Sequence, residues 1–244
     1  MDYGEMVNDA LNFTRQGIVN MRGRWLRLVL AFILLGIPLN GYIVRVYRGE
    51  SQAPDVDNWG SLLYDGLRLI IIGLLYEIPI IILWYLTVGR MIMEIVSQAG
   101  SQSADPASFA GWTPNPGLLI LMYLFVIVVA IFVPIASIRF ARAGKIGEAF
   151  HFGAILEDIR RIGWIHYIIA IILIALIIAI PVAVLVVAFI IIAGLVVVAS
   201  GFNPGVLIGA AVVALVLVLA LIPLISVFHA RFLTSVYESA SPPV

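Results

Sequence analysis

The chain has 244 residues, of which 63% are hydrophobic and 11% charged, and its mean hydropathy is +1.12. Its 14 basic and 14 acidic residues cancel, so no global basic field argues for nucleic acid. The absence of cysteine excludes disulfides, thiolate metal sites and thiol catalysis.

Ordinary soluble domains carry roughly 25% charged residues, and here the deficit is concentrated in long runs. Gly117 to Ile138 has no charge, and Ile165 to Phe228 has only His166. A helix needs about 20 apolar residues to cross the ~30 Å hydrocarbon core. The expected fold is therefore all-α, a polytopic helical membrane protein. It should have about four full spans, a broken or re-entrant first segment and two amphipathic juxtamembrane helices.

In chain order, residues 1–24 form an N-terminal amphipathic segment without a cleavable signal pattern. Residues 25–47 form a broken first membrane segment, interrupted by Pro38, Asn40 and Gly41. Proline lacks the backbone donor and clashes with the preceding turn, so the helix should bend or end at Ile37. Leu28 to Ile37 makes only ~15 Å of helix. The loop APDVDNWGS resembles a calcium loop only superficially, because Trp59 and Gly66 occupy ligand positions; Asp57 or Asn58 is better read as a helix cap. The pattern WGSLLYDGLRLI then suits an amphipathic helix at the interface.

Membrane helices are expected over 67–88, 117–138, 164–199 and 206–228, and an amphipathic interfacial helix over 145–162. In the latter, Ile146, Phe150, Gly153, Leu156 and Ile159 form one face, with Glu157 and Arg161 spaced for an i,i+4 ion pair. The 164–199 run is ~52 Å as one helix and holds Pro181 near its middle. One kinked helix and a turn at GFNPG are preferred to two short spans, which would send Arg231 outward.

Positive loops tend to stay cytoplasmic. If all five segments cross, the N-terminal Arg15, Arg22, Arg24 and Arg27 share a side with Arg90, against eight later cations; Arg68, inside the second span, is left out. If the first segment re-enters, 12 cations share one face and only Arg90 opposes them. Re-entry is the better threading, with both termini cytoplasmic in a multi-pass cell-membrane protein.

A faint repeat opposes it. An apolar stretch with Pro38 exits through RVYRG into WGSLLYDGLRLI and a span; another with Pro134 exits through RFARAG into IGEAFHFGAILEDIRRI and a span. A strict repeat would make the first segment cross, and the charges outweigh it.

NWGSLLYDGLRLIIIGLLYEIPIIIL and RFARAGKIGEAFHFGAILEDIRRIGWIHYIIAIIL, with the MDYGE start and IPLNGYIVRVYRGE, resemble the archaeal membrane family called domain of unknown function 4013. The resemblance runs from about Met1 to Phe232 and implies an archaeal cell membrane, with no activity to carry over.

Few polar residues could do more than pack. Glu77 lies near the middle of the second span, two residues before Pro79, where a carboxylate must be protonated, paired or wet. With Asn40, Tyr42 and Ser137 it makes a candidate intramembrane polar site. Arg45, Arg48, Arg139, Arg142, Arg160 and Arg161 are candidate headgroup contacts. Glu148 and His151 give a single Glu-x-x-His, where carboxylate-bridged metal bundles need two. No metal, cofactor or catalytic residue is expected, and no enzyme. The expected partner is the lipid bilayer, with a homodimer through the Gly205/Gly209 face as a further option. The expected role is non-enzymatic membrane or partner interaction, with small-solute or ion transport near Glu77 and the broken first helix as the alternative.

Overall fold

The computed structural model describes residues 2–89 and 115–240, with Ile92, Met93 and Val96 between them. The described residues are all-helical: α1 (Tyr3–Thr14), α2 (Arg22–Ile33), α3 (Ile37–Tyr47), α4 (Trp59–Trp84), α5 (Pro116–Ala143), α6 (Phe152–Ile162), α7 (Trp164–Ala199) and α8 (Pro204–Glu238). A π turn, Arg15–Val19, follows α1, another, Tyr85–Gly89, extends α4, and a 3-10 turn, Ile146–Phe150, precedes α6. Among the described residues four helices are long and apolar enough to cross a membrane: α4 with its π turn, α5, α7 and α8. The all-α polytopic expectation stands, and the protein is a multi-pass integral membrane protein. Arg90, the lone opposing cation of the charge count, lies outside the described residues.

The chain divides into two compact units, Ile71–Pro134 and the residues on either side of it. The smaller holds the C-terminal part of α4 and the N-terminal part of α5. Its helices expose Ile71, Leu74, Ile78, Leu121, Leu124 and Ile127, a surface that suits lipid and not water.

The larger unit contains the broken first segment. The break falls at Leu34–Gly36 and not at Pro38. Leu35 (φ +58) and Gly36 (φ +69) are both left-handed, which ends α2 and turns the chain. Pro38 sits in the first turn of α3, where a missing N–H leaves no bond unmade. The proline therefore starts the second helix, and does not end the first. Neither helix could span: at 12 and 11 residues they are ~18 and ~17 Å long.

Helix α3 then runs antiparallel to the start of α4 at backbone contact. A Cβ on Gly41 would lie 1.9 Å from the Leu62 carbonyl oxygen, and one on Gly66 would lie 1.9 Å from that of Ile37. Only glycine at both positions permits this approach. WGSLLYDGLRLI is not a separate interfacial helix, as its residues form the first turns of α4.

Helix α7 runs unbroken through Pro181. Gly201 (φ +65) and Phe202 (φ +60) reverse the chain, and the Asn203 side chain accepts the Gly205 amide to cap α8 behind Pro204. Between α7 and α8 lie apolar crevices of about 370 and 440 Å³, lined among others by Phe189, Leu217 and Val213. Helix α8 extends ten residues beyond the expected Phe228, to Glu238. Its final turns bury Val227, Phe232, Leu233, Val236 and Arg231, making it the central post of this unit.

Candidate functional site

The polar side chains of the larger unit collect at one end, where α3 and α5 finish, α4 and α7 begin and α8 terminates. Arginine dominates because its planar fork can bond a carboxylate and a carbonyl together. The last four carbonyls of a helix lack intrahelical partners, and these arginines supply them.

The two R-x-x-R exits do this reciprocally. Arg48, just past α3, donates to the Ala141 carbonyl in the last turn of α5 at 3.3 Å and to Asp65 at 2.5 Å. Arg142, on α5, donates to the Tyr47 carbonyl at the end of α3 at 3.2 Å and to Glu238 at 2.6 Å, with its guanidinium over the Tyr237 ring. The first arginine of each pair is held by acids. Arg45 bonds Asp57, the Asp55 and Asp57 carbonyls and Ser61. Arg139 bonds Asp158 at 2.7 Å and Glu148 at 2.5 Å. The resemblance between the two exits is thus chemical as well as sequential.

Three further arginines complete the layer. Arg231 pairs with Asp9 at 2.6 Å, donates to the Glu50 carbonyl and covers the Phe13 ring, which ties α1 to α8. Arg68, assigned from sequence to the second span, belongs to this polar end. It donates to the Gly144 carbonyl at 2.6 Å and lies 5.0 Å from the centres of the Tyr64 and Phe140 rings. Arg24, at the start of α2, bonds the Gly17 carbonyl and the Asp55 carboxylate.

Asp55 fixes the path of the first segment. Arg24 opens α2 and Arg45 lies in the last turn of α3, yet both bond Asp55, one to its carboxylate and the other to its carbonyl. The two helices therefore form a hairpin whose ends meet at the polar layer. Its tip, Leu34 and Leu35, is exposed, Leu35 by 87%.

The acidic loop is spent on these bonds. The Arg45 hydrogen bond, the main cause, holds the Asp57 carboxyl below its usual range. The helix-capping role falls to Asn58, whose side chain accepts the Ser61 amide at 3.4 Å. Glu148 is taken by Arg139, and among the described residues no group of three or more His, Asp or Glu could hold a metal.

On the interfacial helix the buried residues are Ile155, Asp158, Ile159 and Ile162, while Gly153 and Leu156 are exposed. The expected face is therefore displaced. The 3-10 turn and the break at His151 reset the helical phase, so one periodicity does not run from Ile146 to Ile159. Asp158, which accepts from Arg139 and from the Tyr237 hydroxyl, was not apparent from sequence. Arg161 does pair with Glu157.

The candidate intramembrane residues have separate local settings. Asn40 donates to the Gly36 carbonyl at 2.9 Å, within its own helix. The Tyr42 hydroxyl is buried without a hydrogen-bond partner among the described residues, and Ser137 is buried on α5. Glu77, in the smaller unit, is exposed on α4 along a stripe with Ile81 and Trp84. Of the candidate headgroup contacts, Arg45, Arg48, Arg139 and Arg142 are engaged inside the chain, while Arg160 and Arg161 face outward. Arg15, Arg22, Arg27 and Lys145 are also exposed, and with Arg160 they form no ion pair among the described residues. Gly205 and Gly209 are exposed on α8, and a Cβ at Gly209 would meet nothing within 4 Å.

No curated protein and no solved structure matches the chain. The family model described as protein of unknown function (DUF4013) matches residues 26–190, from the start of the hairpin into α7, a narrower range than the sequence resemblance suggested. The chain therefore belongs to the DUF4013 family.

Proposed function

We propose that the protein is a non-enzymatic integral membrane protein that acts through contact with lipid or a partner at its polar end, which we assign with both termini to the cytoplasmic side. In this reading the α2–α3 hairpin dips into the membrane and returns. The observation that carries it is the division of cations at that end. Seven arginines are spent on internal acids and helix-end carbonyls, which makes the layer a rigid base. Arg15, Arg22, Arg27, Lys145 and Arg160 remain on its outside without ion pairs among the described residues. Each such cation near headgroups favours anionic lipid by about 1 kcal/mol. Reconstituted protein should be more stable to heat in vesicles containing phosphatidylglycerol than in pure phosphatidylcholine. The difference should shrink as salt shortens the Debye length. Equal stability in both lipids at every salt concentration would remove the lipid version.

One observation favours small-solute or ion transport instead: Glu77 is an exposed carboxylate within a span. Proteoliposomes carrying Glu77→Gln separate the readings. Proton or cation flux that is present in the parent and lost in the variant supports transport, and the same flux in both excludes Glu77 as its site.

A further inference from the structure

The outer side of α2 changes character along its length. Arg22, Leu26, Leu30 and Ile33 follow one another at i+4, i+4 and i+3 and share one face, and Arg27, about 140° round the helix from Arg22, flanks that face on the Leu30 side. Leu26, Leu30 and Ile33 are 58%, 48% and 55% exposed, while Leu28 and Ala31 on the other side are fully buried. The cations occupy the base, level with the polar layer, and everything beyond them toward the hairpin tip is apolar. From Leu26 to Ile33 the apolar stripe is ~10 Å long, about two-thirds of the hydrocarbon depth of one leaflet, which is half of ~30 Å.

Arg22, Arg24 and Arg27 are close in sequence but differ in what holds them. Arg24 turns inward to Gly17 and Asp55. Arg22 and Arg27 point outward and form no ion pair among the described residues; Asp57, on which Arg27 acts through space, is already bonded to Arg45. Two cations without an ion-pair partner at the foot of an apolar stripe that runs most of the depth of a leaflet complement one molecule, a lipid with a negative headgroup. An aqueous surface would not expose three large aliphatic side chains in line. A soluble acidic partner would have no use for them.

We propose that the outward stripe of α2 docks one anionic phospholipid, with its phosphate between Arg22 and Arg27 and an acyl chain along Leu26, Leu30 and Ile33. This rests on the reading that the hairpin lies in the bilayer, and the experiment separates the two. The chain has no cysteine, so Leu30→Cys can carry a single bimane fluorophore. The labelled full-length protein is reconstituted with brominated phosphatidylglycerol or, at equal mole fraction, brominated phosphatidylcholine. Preferential quenching by the anionic lipid is expected, equivalent to about tenfold tighter association. It should be lost in R22Q/R27Q and absent from a label at Val212→Cys on α8. Inorganic phosphate at constant ionic strength should not displace it. Equal quenching by both lipids would overturn the lipid site while leaving the hairpin in the membrane. No quenching by either would overturn the membrane placement itself. A preference that survives R22Q/R27Q, or that inorganic phosphate abolishes, would also sink the proposal.

Discussion

At the residue scale, the energetic weight of an ion pair here depends on where it sits. Arg139 is 18% exposed and serves Asp158 and Glu148, which are 12% and 32% exposed. Removing it strands carboxylates in a poorly hydrated place, so Arg139→Ala should destabilise the fold by about 2–4 kcal/mol, somewhat less than a fully buried pair would lose. Adding Asp158→Ala should cost less than the sum of the single changes, with a coupling of about 1–2 kcal/mol. Arg161 and Glu157 are 60% and 57% exposed, and Arg161→Ala should stay within about 0.5 kcal/mol. Equilibrium unfolding in mixed micelles measures all four. A cost for Arg161→Ala equal to that for Arg139→Ala would contradict this ranking. Sequence spacing revealed the Glu157–Arg161 pair because it is local. The Arg139–Asp158–Tyr237 group draws on three helices, and no local spacing marks it.

At the element scale, glycine separates close contact from open surface. Gly41→Ala and Gly66→Ala would each place a methyl group against a backbone carbonyl on the neighbouring helix, which no rotamer change relieves. Each should cost at least about 1–3 kcal/mol by overpacking. Gly73→Ala meets nothing within 4 Å and should be neutral or stabilising by up to ~1 kcal/mol, through helix propensity. Melting temperatures in detergent should fall for the first two and hold or rise for the third. Equal falls in all three would mean that α3 and α4 do not touch as described. None of this contact was legible in the chain, because a glycine kept for a close approach looks like any other. The long apolar helices were legible, since composition alone determines them. The hairpin break was misplaced because Pro38 looks like a stop, whereas the left-handed Leu35 and Gly36 make the turn. Helix α8 runs on past the membrane span expected over 206–228. Phe228, Phe232 and Val236 recur at helical spacing beyond it, and Asp9 neutralises Arg231.

At the scale of the molecule, the hairpin of α2 and α3 decides which ends share a side. Charge counting favoured re-entry and the internal repeat favoured crossing. In the structure the two R-x-x-R exits perform the same exchange, while the hairpin's own ends meet at Asp55. Helices exiting at one end can be matched in chemistry without matching in how they began. Function was far less legible, because four of the six arginines that the sequence offered as headgroup contacts are employed inside the chain, and Glu77, Asn40, Tyr42 and Ser137 have separate local settings. The direct test uses single cysteines at Asn8, Ser51 and Ser200 in sealed vesicles of one orientation, probed with an impermeant maleimide. Asn8→Cys and Ser51→Cys should react from the same side, and Ser200→Cys, between α7 and α8, only from the other. Reaction of Ser51→Cys from the Ser200 side would contradict the account.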